Sequence, residues 1–359
     1  MSAPSAGRYV LHGLKLSYFT GKLEAYLRVK GVPFDYVEMD TADFRACARA
    51  TGVAQMPQLQ APDGTWLTDT TAIIARFEAE LPTPALTPST PRGAFVARLL
   101  EDAFDEWLWR PALYFRWAFK EDARLMGRQI ARTLLRDVPG PLWLRAWVIR
   151  RRQQRVFLKD DGVTSQTRAA IEQSFVDVTT QLDTALSQRP YLFGDRPCIA
   201  DFGLMGPVFR HFSYDPTPAA ILRESAPHLL AWQARLWAAG PTDLAATPAP
   251  EDAPADLDPL LRMIGDDYLP YLAANAAALA RGEREVRYTA ADVDWRVPVF
   301  PYRSHCLAAL QAGFASLTAA DRAQVAERVG PVGAAVLAET APAPPPPTPG
   351  HKTLDRRWA

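Results

Sequence analysis

The proline-rich run PTPALTPSTPR, residues 82–92, most constrains what this chain can fold into. It places four prolines in eleven residues. Each proline fixes φ and lacks an N–H, so neither a helix interior nor a central strand passes through it. The patterns on its two sides differ. Before it, Arg8–Leu14 reads as a strand, Lys22–Lys30 as a helix stopped by Gly31, and Pro33–Met39 as an alternating, half-buried strand. Phe44–Ala50 reads as a short helix. Gln58–Ala61 and Thr65–Leu67 flank the turn Pro62-Asp63-Gly64 as a hairpin, and Asp69–Leu81 reads as a helix. This β-α-β-α-β-β-α order predicts an α/β domain over residues 1–81, with 82–92 as linker.

After the linker, strand patterns almost vanish. Helical periodicity covers Phe95–Lys120, Glu121–Arg136, Leu142–Leu158, Ser165–Gln188, Ile199–Phe212 and Ala219–Ala239, which predicts an all-α domain over 93–240. Residues 241–256, rich in Pro, Ala and Asp, read as a second linker. Residues 257–340 read as a mostly helical extension: Asp258–Arg281, Arg303–Phe314 and Ala319–Arg328 are helical. Val286–Val299 is a strand pair or an extended segment, and the region is expected to pack on the helical domain. Residues 341–359 contain APAPPPPTPG and are expected to be disordered.

Composition narrows the function. The 40 Lys+Arg balance 40 Asp+Glu, which argues against a general nucleic-acid binder with its basic footprint. No run of 18 apolar residues is present, so no stable membrane insertion is expected. The start, MSAPSAGRYVLHG, lacks a basic segment followed by an apolar one, so no secretory signal is expected. Cys47, Cys198 and Cys306 are far apart and the five histidines are scattered, so no metal is expected and a cytoplasmic location is.

Four local patterns carry more information. LSYFTGKLEAYLRVKGVPFDYVEMD sets a hydroxyl-rich turn between a strand and a helix with a basic residue at its start, then Gly-x-Pro-Phe into a second strand. Gln55-Met56-Pro57-Gln58-Leu59 is of the V-P-x-L type, and Leu67-Thr68-Asp69-Thr70-Thr71-Ala72-Ile73 of the L-x-E-S-x-A-I type. Gly194-Asp195-Arg196-Pro197-Cys198-Ile199-Ala200-Asp201-Phe202 matches a G-D-x-x-[ST]-x-A-D-F segment. In this order they resemble the glutathione S-transferase family, over about residues 8–240. The resemblance implies a thioredoxin-like first domain and a glutathione-transferase-type helical second domain. It assigns no class, and residues 241–359 match no familiar pattern of the family.

The resemblance also implies roles. Glutathione would be the co-substrate, activated for attack on a small hydrophobic electrophile, as in detoxification, by a homodimer. A cis peptide before Pro57 would expose the Met56 backbone to the cysteinyl backbone of glutathione, with Gln55 beside it; a cis bond is cheap only before proline. Thr70 would hold the γ-glutamyl carboxylate, with Asp69 presenting it at a helix start. Either residue also serves as an ordinary helix cap. A thiol of pKa about 8.5 is mostly protonated at neutral pH, so a hydroxyl donor beside a helix N-terminus is needed to favour the thiolate. Ser17 and Tyr18 are the two catalytic candidates: Ser17 fits S-x-x-x-x-[KR] with Lys22, and Tyr18 fits a tyrosine type with a shorter turn. Thr20 is a third binding candidate or the cap of that helix. The turn has no cysteine, which disfavours thiol exchange through a mixed disulfide.

Residues 101–119 are dense in aromatics, and Trp107, Tyr114 and Trp117 are candidates for the apolar substrate pocket. Tight helix packing is the competing reading for each. Asp105, Glu106, Arg110 and Arg116 lie in the same stretch and are expected to pair with one another or with the first domain. Residues 142–158, LWLRAWVIRRRQQRVFL, are either a basic amphipathic helix for a membrane surface or anionic ligand, or a solvated basic face. A catalytically silent scaffold, or an apolar-ligand binding protein, is the rival to an enzyme.

Overall fold

A computed structural model describes residues 7–339; the proline-rich tail 341–359 lies outside the described residues. The first domain runs β1 (Tyr9–Gly13), α1 (Tyr18–Lys30), β2 (Phe34–Glu38), α2 (Thr41–Thr51), β3 (Gln58–Gln60), β4 (Trp66–Leu67) and α3 (Thr70–Glu80), the expected order. Its sheet has the order β2-β1-β3-β4. β1 pairs parallel with β2 and antiparallel with β3, with His12 opposite Gln58, and β3 pairs antiparallel with β4. α1 stops where expected, because Gly31 takes the left-handed conformation (φ 77°) that a side chain would oppose.

The second domain contains α4 (Pro91–Glu106), α5 (Trp109–Ala118), α6 (Lys120–Arg132), α7 (Leu142–Gln153), α8 (Arg168–Leu186), α9 (Ile199–Pro207), α10 (Pro216–Ser225) and α11 (Pro227–Ala238). Two helices that periodicity reads as continuous are broken, each by proline. Phe95–Lys120 divides between α4 and α5, since Pro111 has no N–H to give the Trp107 carbonyl. Ala219–Ala239 divides at Ala226 (φ −141°, ψ 57°), the residue before Pro227, which proline pushes out of the helical region. Asp201 fixes the start of α9: one carboxylate oxygen accepts from the Cys198 N–H at 2.9 Å, the other from the Leu192 N–H and Trp232 Nε1.

The extension comprises α12 (Asp258–Met263), α13 (Leu269–Ala280), the hairpin β5 (Glu285–Ala290) and β6 (Val293–Pro298), α14 (Pro301–Ala315) and α15 (Ala319–Ala338). The segment Val286–Val299 is thus a strand pair, turned by Ala291 and Asp292 at φ 50° and 57°. The first part of α15 stops close to the expected end at Arg328, because Gly330 (φ 82°, ψ 170°) is not helical, and a second helical stretch follows from Pro331 to Ala338. α14 and α15 pack on α4, and α12 packs on α8. One apolar core runs from Leu11 and Tyr26 through α4, α8 and α9 into Leu260, Leu310 and Val325 of the extension.

Candidate functional site

Strand pairing gathers the three expected binding segments at one edge of the first sheet. The chain leaves β1 at Gly13, enters β3 just after Pro57, and leaves β4 just before Asp69. Because β1 and β3 are antiparallel, as are β3 and β4, these three points share one end of the sheet. The peptide between Met56 and Pro57 is cis, and Met56 is half-buried. Gln55 is also half-buried, and its carbonyl accepts from Gln58 Nε2 at 3.1 Å.

Asp69 is the N-cap of α3 and accepts from the Thr71 N–H at 3.1 Å. It does so at φ 69°, ψ 108°, a conformation that costs a non-glycine residue about 1–3 kcal/mol and concentrates at ligand sites. Its second carboxylate oxygen accepts from the hydroxyl of Tyr302 on α14 at 2.9 Å, so the extension reaches this edge. Thr70, the next residue, is nearly buried at the first turn of α3.

The hydroxyl candidates occupy different surroundings. Ser17 is the N-cap of α1 and half-buried, and its Oγ accepts from the Thr20 N–H at 3.4 Å. An accepting hydroxyl still has its proton to donate. Tyr18 points into the interface with the helical domain and donates to the Phe104 carbonyl. Burial, with Asp105 and Glu106 nearby, pushes its phenol well above the usual range, so it stays protonated and occupied. Gly206 makes room for it: a Cβ there would lie 2.8 Å from the Tyr18 ring. Thr20 is fully buried, and its Oγ1 accepts from the Leu14 N–H at 3.4 Å. Ser17 is therefore the one of the three whose hydroxyl is both half-exposed and able to donate at the edge.

Lys22, the basic residue of the first pattern, is wholly buried. It donates to Thr71 Oγ1 at 3.2 Å and to the carboxylates of Glu101 and Asp105, tying α1 and α3 to α4. Burial alone would lower its pKa, but Asp105 and Glu101 outweigh this and raise it. Burial works against the Glu101 carboxylate too, yet Arg98 and Lys22 lower its pKa to about 2. As expected, Asp105 pairs with the first domain; Arg116 also reaches it, at the Leu16 carbonyl, and bonds Asp215. Glu106 and Arg110 turn instead to the extension, at Arg303 and the Tyr288 hydroxyl.

The three expected pocket aromatics do not converge. Trp117 packs with Leu14 and Leu16 under the first domain. Tyr114 is buried, and its hydroxyl donates to Glu172 on α8. Trp107 lines a cavity of about 30 Å³ with Arg110, Tyr271, Tyr288 and Trp295, facing the extension. The rings that gather at the first turn of α1 are Phe19, stacked on Trp109 at 5.7 Å, and Phe157, edge-on to Trp109 at 5.8 Å. They come from three segments, so no local spacing pointed to them; Trp109 was visible only as one more aromatic in a dense stretch. Elsewhere in the first domain, His12, Asp43 and Cys47 bring ligand-type atoms within 4.8 Å of one another. His12 Nδ1 lies 2.9 Å from Asp43, and burial pushes the Cys47 thiol up to about 12, leaving it protonated.

A cis-proline turn, a hydroxyl at a helix start and a capped acidic helix start at one end of the sheet, followed by a helical domain, are the features of a thioredoxin-like fold with a helical second domain. The comparisons name the family. A model described as the glutathione S-transferase N-terminal domain matches residues 11–85, and one described as its C-terminal domain matches residues 168–239. The chain belongs to the glutathione S-transferase family. No curated protein matches it. Among solved structures it is similar to the β-etherase LigF from Sphingobium sp. strain SYK-6, with 21% identity over 64% of this chain and 95% of that one, TM-score 0.46. It is also similar to a glutathione S-transferase from Rhodospirillum rubrum F11, with 20% identity over 69% and 96%, TM-score 0.43. FzlA from C. crescentus shares 17% identity over 69% and 96%, TM-score 0.43. Among the described residues, no helix is long and apolar enough to cross a membrane.

Proposed function

We propose that the chain is a glutathione transferase in which Ser17 activates the glutathione thiol for attack on a small hydrophobic electrophile. Glutathione lies along the sheet edge. Its cysteinyl backbone pairs with Met56 beside cis-Pro57 and Gln55, and its γ-glutamyl carboxylate sits on Thr70 at the N-terminal end of α3. Asp69 presents that helix start. The Ser17 hydroxyl donates to the sulfur, and the N-terminal end of α1 adds its partial positive charge, so the thiolate is favoured. The thiolate forms a bond to an electrophilic carbon, and the leaving group takes the bonding pair. Phe19, Trp109 and Phe157 give the electrophile an apolar wall.

The observation that carries this reading is the geometry of Ser17: half-exposed at the start of α1, accepting from Thr20, with its proton still to give. The test combines calorimetric titration of glutathione with turnover of an activated aryl chloride. Thr70→Ala is expected to weaken glutathione binding by about tenfold, the loss of one good hydrogen bond. Ser17→Ala is expected to leave affinity within about threefold but lower kcat by about 10²-fold, as for removing one donor to a developing anion. A chain that binds glutathione but turns over no electrophile, with Ser17→Ala indistinguishable from wild type, is the silent scaffold instead.

A further inference from the structure

We propose that the outer face of α6 and α7 docks on the surface of an anionic lipid bilayer. Of the nine tryptophans in the described residues, only Trp143 (71% exposed) and Trp147 (50%) stand in solvent, both on α7. Leu144 and Val148 are exposed beside them, and Leu125 is exposed on α6. These five make up most of the nine large hydrophobic side chains exposed on the described surface. A soluble surface rarely concentrates its apolar exposure in this way without a partner. The face is a coherent stripe: residues 143, 147 and 151 follow at i, i+4, i+8, with 144 and 148 alongside. Ile149 is buried on the opposite side. The stripe is firmly held, since Gly127 on α6 lets α7 approach so closely that a Cβ would lie 3.1 Å from the Ala146 carbonyl.

Charge identifies the partner. Between residues 123 and 158 the chain has nine arginines and one acid, Asp137, in a molecule of zero formal net charge. Asp137 is engaged by Thr41 at 2.6 Å, away from the stripe. Arg128 and Arg151 are exposed, and an open groove of about 600 Å³ between the two helices is lined by Arg124, Arg128 and Arg150 together with Trp143 and Trp147. Arg124 keeps an ion pair with Glu121 at its outer edge. Exposed tryptophan at the centre with arginine around it matches the headgroup zone of a bilayer. The indole rings sit at the polar boundary there, and the guanidinium groups reach anionic headgroups. Each such charge is worth about 1 kcal/mol near an anionic leaflet. A two-fold contact with a second copy would set these arginines against their own equivalents. α7, with 12 residues, rises only about 18 Å against a hydrocarbon core of about 30 Å, so it lies in the interface rather than spanning it.

Co-sedimentation of the full chain with phosphatidylglycerol/phosphatidylcholine vesicles tests this, with pure phosphatidylcholine vesicles and 0.5 M salt as controls. Binding is expected on the anionic vesicles, at least tenfold weaker on phosphatidylcholine and in salt. Trp143→Ala/Trp147→Ala and Arg128→Glu/Arg151→Glu are each expected to weaken it at least tenfold while keeping wild-type melting temperature and glutathione affinity. No sedimentation with anionic vesicles, or binding that survives both double substitutions, would overturn the proposal. So would a concentration-dependent dimer abolished by the tryptophan pair, which would make the stripe a contact between copies.

Discussion

α4 with α5, and α6 with α7, are two helical pairs in which tryptophan and charge are mixed in sequence, yet their charges meet opposite fates. In the first pair, Glu101, Asp105, Glu106 and Arg116 are buried, and each finds a counter-charge from another segment: Lys22, Arg303 or Asp215. In the second, Arg128 and Arg151 face solvent beside Trp143 and Trp147. A buried charge must be matched, because the low-dielectric interior offers no water to replace a lost partner. An exposed arginine has no such requirement. The first pair is therefore a junction where three regions of the chain lock together, and the second is a surface free to meet a partner.

The sharpest way to break this contrast is to remove the cation from the junction. Lys22→Met leaves Glu101 and Asp105 facing each other without their shared ammonium, and is expected to cost about 3–5 kcal/mol, measured by urea unfolding. A loss below 1 kcal/mol would mean that the junction is far more solvated than its burial implies.

Asp161 gives a smaller effect with a definite pH signature. It follows the π turn Gln154–Leu158 after α7, is 5% exposed, and its Oδ2 has no hydrogen-bond partner among the described residues. Burial raises its pKa to about 7 from 3.8; Arg303 and Arg110 oppose the shift, and Asp160 and Glu106 add to it. Between those two values the folded chain holds a proton that the unfolded chain has released. Stability therefore falls as pH rises through that window, and the loss is complete above about 7. Asp161→Asn is expected to raise the melting temperature at pH 8 by on the order of 5 °C, with little change at pH 4. An equal shift at both pH values would show that the carboxylate does not titrate in this window.

The smallest effect lies on the outer face. Trp147→Ala is expected to change stability by less than about 0.5 kcal/mol, since it deletes a half-exposed ring, whereas deletion of buried Trp117 should cost about 3–5 kcal/mol. Comparable losses from the two would erase the distinction between junction and surface.

Much of this architecture was legible because its causes are local. The first domain's element order followed from periods of two and 3.6, from Gly31 and from the Pro62-Asp63-Gly64 turn. The two helix breaks at Pro111 and Pro227 are written in the sequence too, although the helical period runs on through both prolines. The site was half legible. Ser17, Pro57 and Asp69 lie in short patterns with local causes, a cap, a turn and a second cap, and strand pairing puts them on one edge. Tyr18, adjacent to Ser17, looked equivalent until packing turned its hydroxyl to Phe104. Phe19, Trp109 and Phe157 gather from three segments, and Tyr302 reaches Asp69 across 233 positions of chain.

The sequence by itself determined the family, the order of an α/β part followed by helices and the residue types at the end of the sheet, because each is written in the identity and spacing of neighbours. Only the tertiary structure decided which hydroxyl is free, which acid meets which base, and which aromatic faces are covered. Those depend on contacts between segments far apart in the chain, where burial and pairing, rather than local conformation, set the free energy.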